Sequence, residues 1–153
     1  MKIARKRRIA GSFVIGAALF CAAASLAQAP AFHVKATWHI GGDGGWDYLT
    51  TDPSMHRLYI ARGNRVQVVD TRTGKLAGEM TGMDHTHGIA LYSDGKTGYV
   101  SDGGAGLVRV FDRATFKQTA TIPAQQNPDA ILFDALHPSR LRVQWPQSFG
   151  HGD

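Results

Sequence analysis

Cysteine is nearly absent from this sequence. The 153 residues include one, Cys21, inside an apolar N-terminal stretch, so no disulfide can staple the remainder. Helical patterning is missing as well: past residue 30 no apolar period near 3.6 residues is sustained. No serine lies in a G-x-S-x-G setting, which removes a nucleophile elbow. The glycine-rich run at residues 41–45 lacks the Lys-Ser/Thr ending of a phosphate loop, and no helix pattern follows it. An excess of one charge sign is also missing, although the formal net charge is +5. Lys2, Arg5, Lys6, Arg7 and Arg8 account for five of the 17 basic residues. From residue 30 onward 12 basic residues face 12 acidic ones. Overall charge therefore gives no ground for a nucleic-acid or membrane-surface partner.

What the N-terminus does have is the three-part pattern of a secretory signal. Residues 2–8 are the charged n-region, residues 9–26 are apolar and small, and Ala27-Gln28-Ala29 is an A-x-A cleavage site before Pro30. The apolar run is near the lower limit for spanning a membrane and is rich in Ala and Gly, which favours cleavage over anchoring. Phe20 is too bulky for the small residue that precedes a lipidated cysteine. The expectation is a bacterial exported protein, periplasmic or secreted, with no membrane span after cleavage and no reliance on disulfides.

The rest of the chain is one stretch and its copies. Trp46-Asp47-Tyr48-Leu49, Tyr59-Ile60 and Val66-Gln67-Val68-Val69-Asp70 return as His87-Gly88-Ile89-Ala90, Tyr99-Val100 and Val108-Arg109-Val110-Phe111-Asp112. Pro128-Asp129-Ala130-Ile131 opens a third copy. Tyr59 and Tyr99 are 40 residues apart, Asp70 and Asp112 are 42, and Asp47, Gly88 and Asp129 are spaced by 41. Such a period marks one supersecondary unit stacked repeatedly. Residues 31–40 alternate loosely and read as a lead-in strand. Each unit then reads as four short strands. In the first they cover residues 46–51, 57–61, 65–70 and 75–81, with turns at Asp52-Pro53-Ser54, Arg62-Gly63-Asn64 and residues 70–74. Phe116 stands where the first unit has Gly74, so the second copy of that turn is expected to avoid the left-handed conformation. The strands are apolar on both faces, as sheets covered on both sides are. Four-stranded sheets packed face to face around an axis meet these demands, which is a β-propeller.

The runs at residues 41–49, His87-Gly88-Ile89-Ala90-Leu91 and Asn127-Pro128-Asp129-Ala130-Ile131 resemble the YncE-like, YVTN-type propeller repeat proteins. Tyr99-Val100-Ser101-Asp102-Gly103 matches the name-giving strand, with Ser and Asp in place of Thr and Asn. The likeness covers roughly residues 32–136. It implies an exported propeller of about seven blades that binds rather than catalyses, and it brings no catalytic residues and no cofactor.

Two blades and a strand cannot close a ring of four to eight blades. The fold expected is thus an all-β fragment of a propeller behind a signal peptide (residues 1–29). A lead-in spans 30–45, blades span 46–86 and 87–127, and the first strand of a third spans 128–136. Residues 137–153 no longer read as a blade. In the second-base frame, Trp145-Pro146 (TGG-CCN) forces a Gly codon. The neighbouring codons allow Phe-Asn before it and Arg-Ser-His-Ser-Ala-Thr-Val after it, a further repeat segment. That Gly falls about 15 residues after Asp129, as Gly103 does after Gly88. This tail is read as frameshifted.

Propeller ligands usually meet loops at one end of the channel, where chains enter the innermost strands. Trp46, Asp47, His87 and Asp129 stand at that point and are the candidate ligand-binding residues; the competing role for Asp47 and Asp129 is turn capping. Asp84, His85 and His87 are the one metal-like cluster, since His and carboxylate suit zinc or another transition metal. Arg57, Arg62, Arg65 and Arg72 with Tyr48 and Tyr59 are the residues a single-stranded nucleic acid would use, against the balanced overall charge. Open blade edges leave self-association as a further mode. The function expected is a non-enzymatic ligand- or macromolecule-binding scaffold. The alternative is a piece of a lactonase-like or quinoprotein dehydrogenase-like propeller enzyme, because fold does not fix function. Resequencing the gene past the codon of Phe133 should show the shifted frame open and encoding further units of about 41 residues. Both frames closing soon after Asp153 would rule the frameshift out.

Overall fold

The computed structural model describes residues 32–134, 136–137 and 139–144. The signal segment and residues 145–153 lie outside them, with the expectations that fall there. The described residues form ten strands and no helix. The first sheet is β1 (Leu49–Asp52), β2 (Arg57–Arg62), β3 (Arg65–Asp70) and β4 (Lys75–Met80), antiparallel and in chain order. The second repeats it with β5 (Thr86–Leu91), β6 (Thr97–Asp102), β7 (Leu107–Asp112) and β8 (Gln118–Pro123). A third begins with β9 (Ile131–Phe133) paired to β10 (Leu141–Val143). The all-β reading of two four-stranded blades and the start of a third holds. The third blade contributes two strands, not one, and β10 lies in the stretch assigned to the tail.

Aspartates make the turns. Asp52 accepts from the Ser54 hydroxyl at 2.6 Å and the Met55 N–H at 3.2 Å. Asp94 accepts from the Lys96 and Thr97 N–H groups at 2.7 and 2.8 Å. Asp112 does the same for Ala114 and Thr115 at 3.1 and 2.8 Å. A carboxylate that accepts two backbone N–H groups imitates a turn and holds it.

The turn after β7 departs from expectation. Phe116 adopts φ +61°, close to the +69° of Gly74, and its N–H donates to Asp112 O at 2.8 Å, as that of Gly74 donates to Asp70 O. The left-handed conformation costs a residue with a Cβ about 1–2 kcal/mol. The Phe116 ring offsets this. It packs into the space left by Gly78, and the Arg57 guanidinium sits 5.0 Å above it. A partly buried ring and a cation–π contact together supply about the same amount. The lead-in is the second departure: residues 32–40 form no strand. Alternation alone does not make one, because a strand needs a partner edge.

Apolar residues on both faces now have their explanation. Val66, Val68 and Tyr59 of the first blade meet Ile89, Val100 and Phe111 of the second in one buried cluster. Ala90 and Val108 meet Ile131 in the next, with Phe133, Leu141 and Val143 packed against it. The middle sheet is thus covered on both sides. Part of the free side of the first sheet, at Arg62 and Arg65, is covered by residues 41–44. Arg62 donates to the carbonyls of Gly41, Gly42 and Gly44 at 2.6, 2.8 and 2.8 Å, and Arg65 donates to Asp43 O at 2.5 Å. That loop turns its carbonyls toward cations, the opposite of a phosphate cradle.

A buried ion pair joins the first two blades. Arg113 Nε donates to Asp52 Oδ2 at 3.0 Å, its Nη2 meets the same oxygen, and its Nη1 donates to Tyr92 O at 3.1 Å. Both residues are under 5% exposed. Burial raises the Asp52 pKa, but the Ser54 hydroxyl and the Arg113 guanidinium outweigh it and hold the carboxyl below its ordinary range. Arg113→Ala leaves a buried charge without its partner. It is expected to lower the unfolding free energy by about 3–5 kcal/mol in equilibrium denaturation. A loss of only about 1 kcal/mol, the size of an exposed pair, would refute this role.

Candidate functional site

Each repeat enters its innermost strand through a residue held at positive φ. These are Gly44 at +89°, His85 at +54° and Asn127 at +54°, which stand 41 and 42 residues apart. The shared turn delivers the next residues to one place. The Asp47 N–H donates to Ala61 O at 3.0 Å, and the Asp129 N–H donates to Gln144 O at 2.8 Å. In both units the aspartate therefore extends the ladder between the first two strands.

The second unit carries a bulge at this place. Thr86 pairs with Asp102 and Ile89 with Val100, so His87 and Gly88 together oppose Ser101. Leu49, Ile89 and Ile131 hold the same ladder position, opposite Ile60, Val100 and Val143, so His87 stands two residues ahead of Ile89 as Asp47 and Asp129 stand two ahead of Leu49 and Ile131. Ser101 is fully buried and anchors the bulge. Its Oγ accepts from the Gly88 N–H at 2.8 Å and donates to Asp129 O at 2.5 Å. One hydroxyl thus fixes the backbone of two of the three entry points.

The result is a cluster. His87 Nδ1 is 2.6 Å from Asp47 Oδ2, and ligand atoms of Asp47, His87 and Asp129 all lie within 4.8 Å of one another. The His87 side chain is 19% exposed and that of Asp47 44%. His87 Nε2 is buried and has no hydrogen-bond partner among the described residues. The ring fits there because residue 103 is glycine. A Cβ on Gly103 would stand 2.8 Å from His87 Nε2 and 2.6 Å from Asn127 Oδ1.

Three of the four candidate ligand residues are therefore brought together. Trp46 is not: it is 68% exposed and lines a separate hollow with Ile40, Leu49, Ile60 and Arg62. Nor are Asp84, His85 and His87 gathered as one set of donors. The backbone of residues 84 and 85 is tied to the next hairpin, through Gly104 N–H to Asp84 O and Gly103 N–H to His85 O, both at 2.8 Å. Asp102, itself buried against Arg109, accepts from the Asp84 N–H at 2.8 Å. The Asp84 and His85 side chains are left 72% and 77% exposed. The arginines of the nucleic-acid reading are engaged too. Arg57 lies on Phe116, Arg62 and Arg65 hold residues 41–44, and Arg72 pairs with Asp70 at 2.6 Å. Tyr59 is fully buried and offers no stacking face.

Asp47 and Asp129, like the exposed Asp43 and Asp84, differ from the other described aspartates in charge pairing. Asp52, Asp70, Asp102 and Asp134 each bind an arginine, and Asp94 and Asp112 cap turns. Among the described residues neither Asp47 nor Asp129 pairs with Lys or Arg, and neither carboxylate caps a turn.

No protein-family model and no curated protein matches this sequence. Solved structures match its fold. Hydrazine synthase of Kuenenia stuttgartiensis aligns with a TM-score of 0.62 and 22% identity over 74% of this chain and 33% of its own. The β-propeller domain of Cps50 (Swd1) from Myceliophteria thermophila gives 0.59 and 12% over 71% and 35%. The fold is that of a β-propeller. Apo AztD from Citrobacter koseri gives 0.51 and 19% over 58% and 27%. The chain spans about a third of the length of these propellers, and identities this low speak for architecture alone.

Asn127, Ser101 and Gly103 were not foreseen as parts of the site. Asn127 before Pro128 carries a signal, since Asn tolerates positive φ; nothing local marks Ser101. Gly103→Ala is expected to displace the His87 ring. The slowly exchanging imidazole proton shared with Asp47 should then vanish from the NMR spectrum while the circular dichroism stays unchanged. Retention of that proton in the variant would show that Gly103 does not seat His87.

Proposed function

We propose that this chain is part of an exported, non-enzymatic binding propeller of the YncE-like, YVTN-type, whose ligand site lies where the chain enters its innermost strands. The observation that carries this reading is the convergence of Asp47, His87 and Asp129 from three successive repeats. Residues spaced by one repeat meet at one end of a propeller because the units are stacked around an axis. Two carboxylates and an imidazole are costly to gather unless something compensates their charge, and no described arginine or lysine does so. The hydrogen-bonding and turn-forming needs of this region are met by backbone groups and Ser101, which leaves these three side chains free to serve a ligand. Export rests on the N-terminal pattern of residues 1–29.

A thermal-shift screen of the full chain tests the site. The probes are divalent cations, polyamines, neutral sugars and a single-stranded oligonucleotide. At least one class is expected to raise the melting temperature of the parent chain. None should raise that of the triple variant Asp47→Asn, His87→Gln, Asp129→Asn. Stabilisation of both proteins alike, or of neither, would remove the channel-end site from the reading.

A further inference from the structure

We infer that Asp47, His87 and Asp129 together bind one divalent transition cation of the zinc class. This rests on the reading of that end of the blades as a ligand site and names the ligand's chemistry. Zinc takes imidazole nitrogen and carboxylate oxygen at about 2.0–2.2 Å. Donors around a tetrahedral ion therefore stand about 3.3 Å apart. Atoms already within 4.8 Å of one another reach that spacing by side-chain rotation, with no movement of strands.

The charges agree with this. The site gathers two carboxylates with no cationic side chain among the described residues to balance them, whereas the aspartates at Arg113, Arg72, Arg109 and Arg142 each have one. A dication supplies what an arginine supplies elsewhere. The donor set also discriminates. Imidazole favours zinc and its neighbours in the transition series, while magnesium and calcium prefer an all-oxygen shell.

The surroundings of His87 fit a ligand role. A histidine that binds metal through one nitrogen usually offers its other N–H to a fixed acceptor. Here Nδ1 faces Asp47 at 2.6 Å, so Nδ1 is the ligand atom, and the ion takes the place of the proton between them. The ring proton then resides on Nε2, which is buried without a described partner. Asn127 Oδ1 borders the same space over Gly103 without bonding to the ring. The anchoring is rigid: Asp129 is held through Ser101, and His87 by the bulge opposite it. Three protein ligands leave a fourth position for water or an exogenous group, as in zinc sites that exchange ligands.

Calorimetric titration of the metal-free full chain with Zn²⁺, Mn²⁺ and Mg²⁺ tests the assignment. The expected result is one Zn²⁺ per chain, weaker Mn²⁺ binding and no Mg²⁺ binding. His87→Gln and Asp129→Asn should each weaken Zn²⁺ roughly tenfold or more, while Asp84→Asn with His85→Ala leaves it unchanged. Imidazole ¹⁵N resonances should show His87 passing to the Nε2–H form on Zn²⁺ addition, a readout that loss of folding cannot imitate. Failure of the folded parent chain to take up Zn²⁺ overturns the assignment. So does uptake that survives His87→Gln or that depends on His85. If instead a sugar, polyamine or oligonucleotide stabilises the parent chain and not the triple variant, the ligand site stands and the cation does not.

Discussion

A buried charge pair, Asp52 with Arg113, is the contact on which the alignment of the first two blades depends. Hydrophobic contact between the sheets is worth more in total, but it is non-directional and would tolerate a range of offsets. A guanidinium that must meet one carboxylate, and also Tyr92 O at 3.1 Å, tolerates almost none. Asp52 closes β1 at one end, and Asp47 precedes β1 at the other. Between them Thr50 Oγ1 donates to Ile89 O at 2.9 Å. The first blade is thus tied to the second at three heights, and the His87–Asp47 hydrogen bond is the uppermost. Fixing the lower two sets where the upper pair must stand.

The same logic accounts for how a site can form from a repeat. Stacking identical units would bring identical residues together at one end. Counted back from the paired residues Leu49, Ile89 and Ile131, the equivalent positions are Asp47, His87 and Asp129, so the second unit offers an imidazole where the others offer a carboxylate. The bulge opposite Ser101 holds His87 and Gly88 together. It costs one unpaired position in the ladder, and the Ser101 hydroxyl recovers part of that through Gly88 and Asp129. A regular framework with a different side chain at one of three equivalent positions gives chemical diversity without disturbing the packing behind it. A bulge beside such a position is a common companion of functional sites.

Much of this architecture was legible in the sequence, because it follows from local rules repeated at a fixed period. Tyr59 and Tyr99, or Asp70 and Asp112, recur since each blade packs a ring at the same strand position, fully buried at Tyr59 and half-buried at Tyr99, and needs the same turn. What was not legible depends on contacts between units. The left-handed Phe116 is stabilised by Gly78 and by Arg57, 38 and 59 residues earlier. The Asp52–Arg113 pair spans 61 residues and follows no spacing rule. The lead-in read as a strand because alternation says nothing about whether an edge is available. β10 was missed because three residues are too few to show a period.

The candidate site shows the same division. Asp47, His87 and Asp129 could be named from their repeat positions alone. Asp84 and His85 were grouped with His87 because they are neighbours in sequence, and proximity along a chain is a poor guide at the start of a strand. His85 occupies the left-handed turn, and its ring, 6.2 Å from that of His87 between centroids, is left 77% exposed and outside the group that His87 forms with Asp47 and Asp129. The donors that meet are about 41 residues apart, while those adjacent in sequence stay outside that group. In a repeat fold the period is therefore the better ruler for finding a site. A constellation spaced by whole repeats, and lacking the arginine partners that the buried Asp52, Asp102 and Asp134 have, is where to look for a departure from the needs of folding.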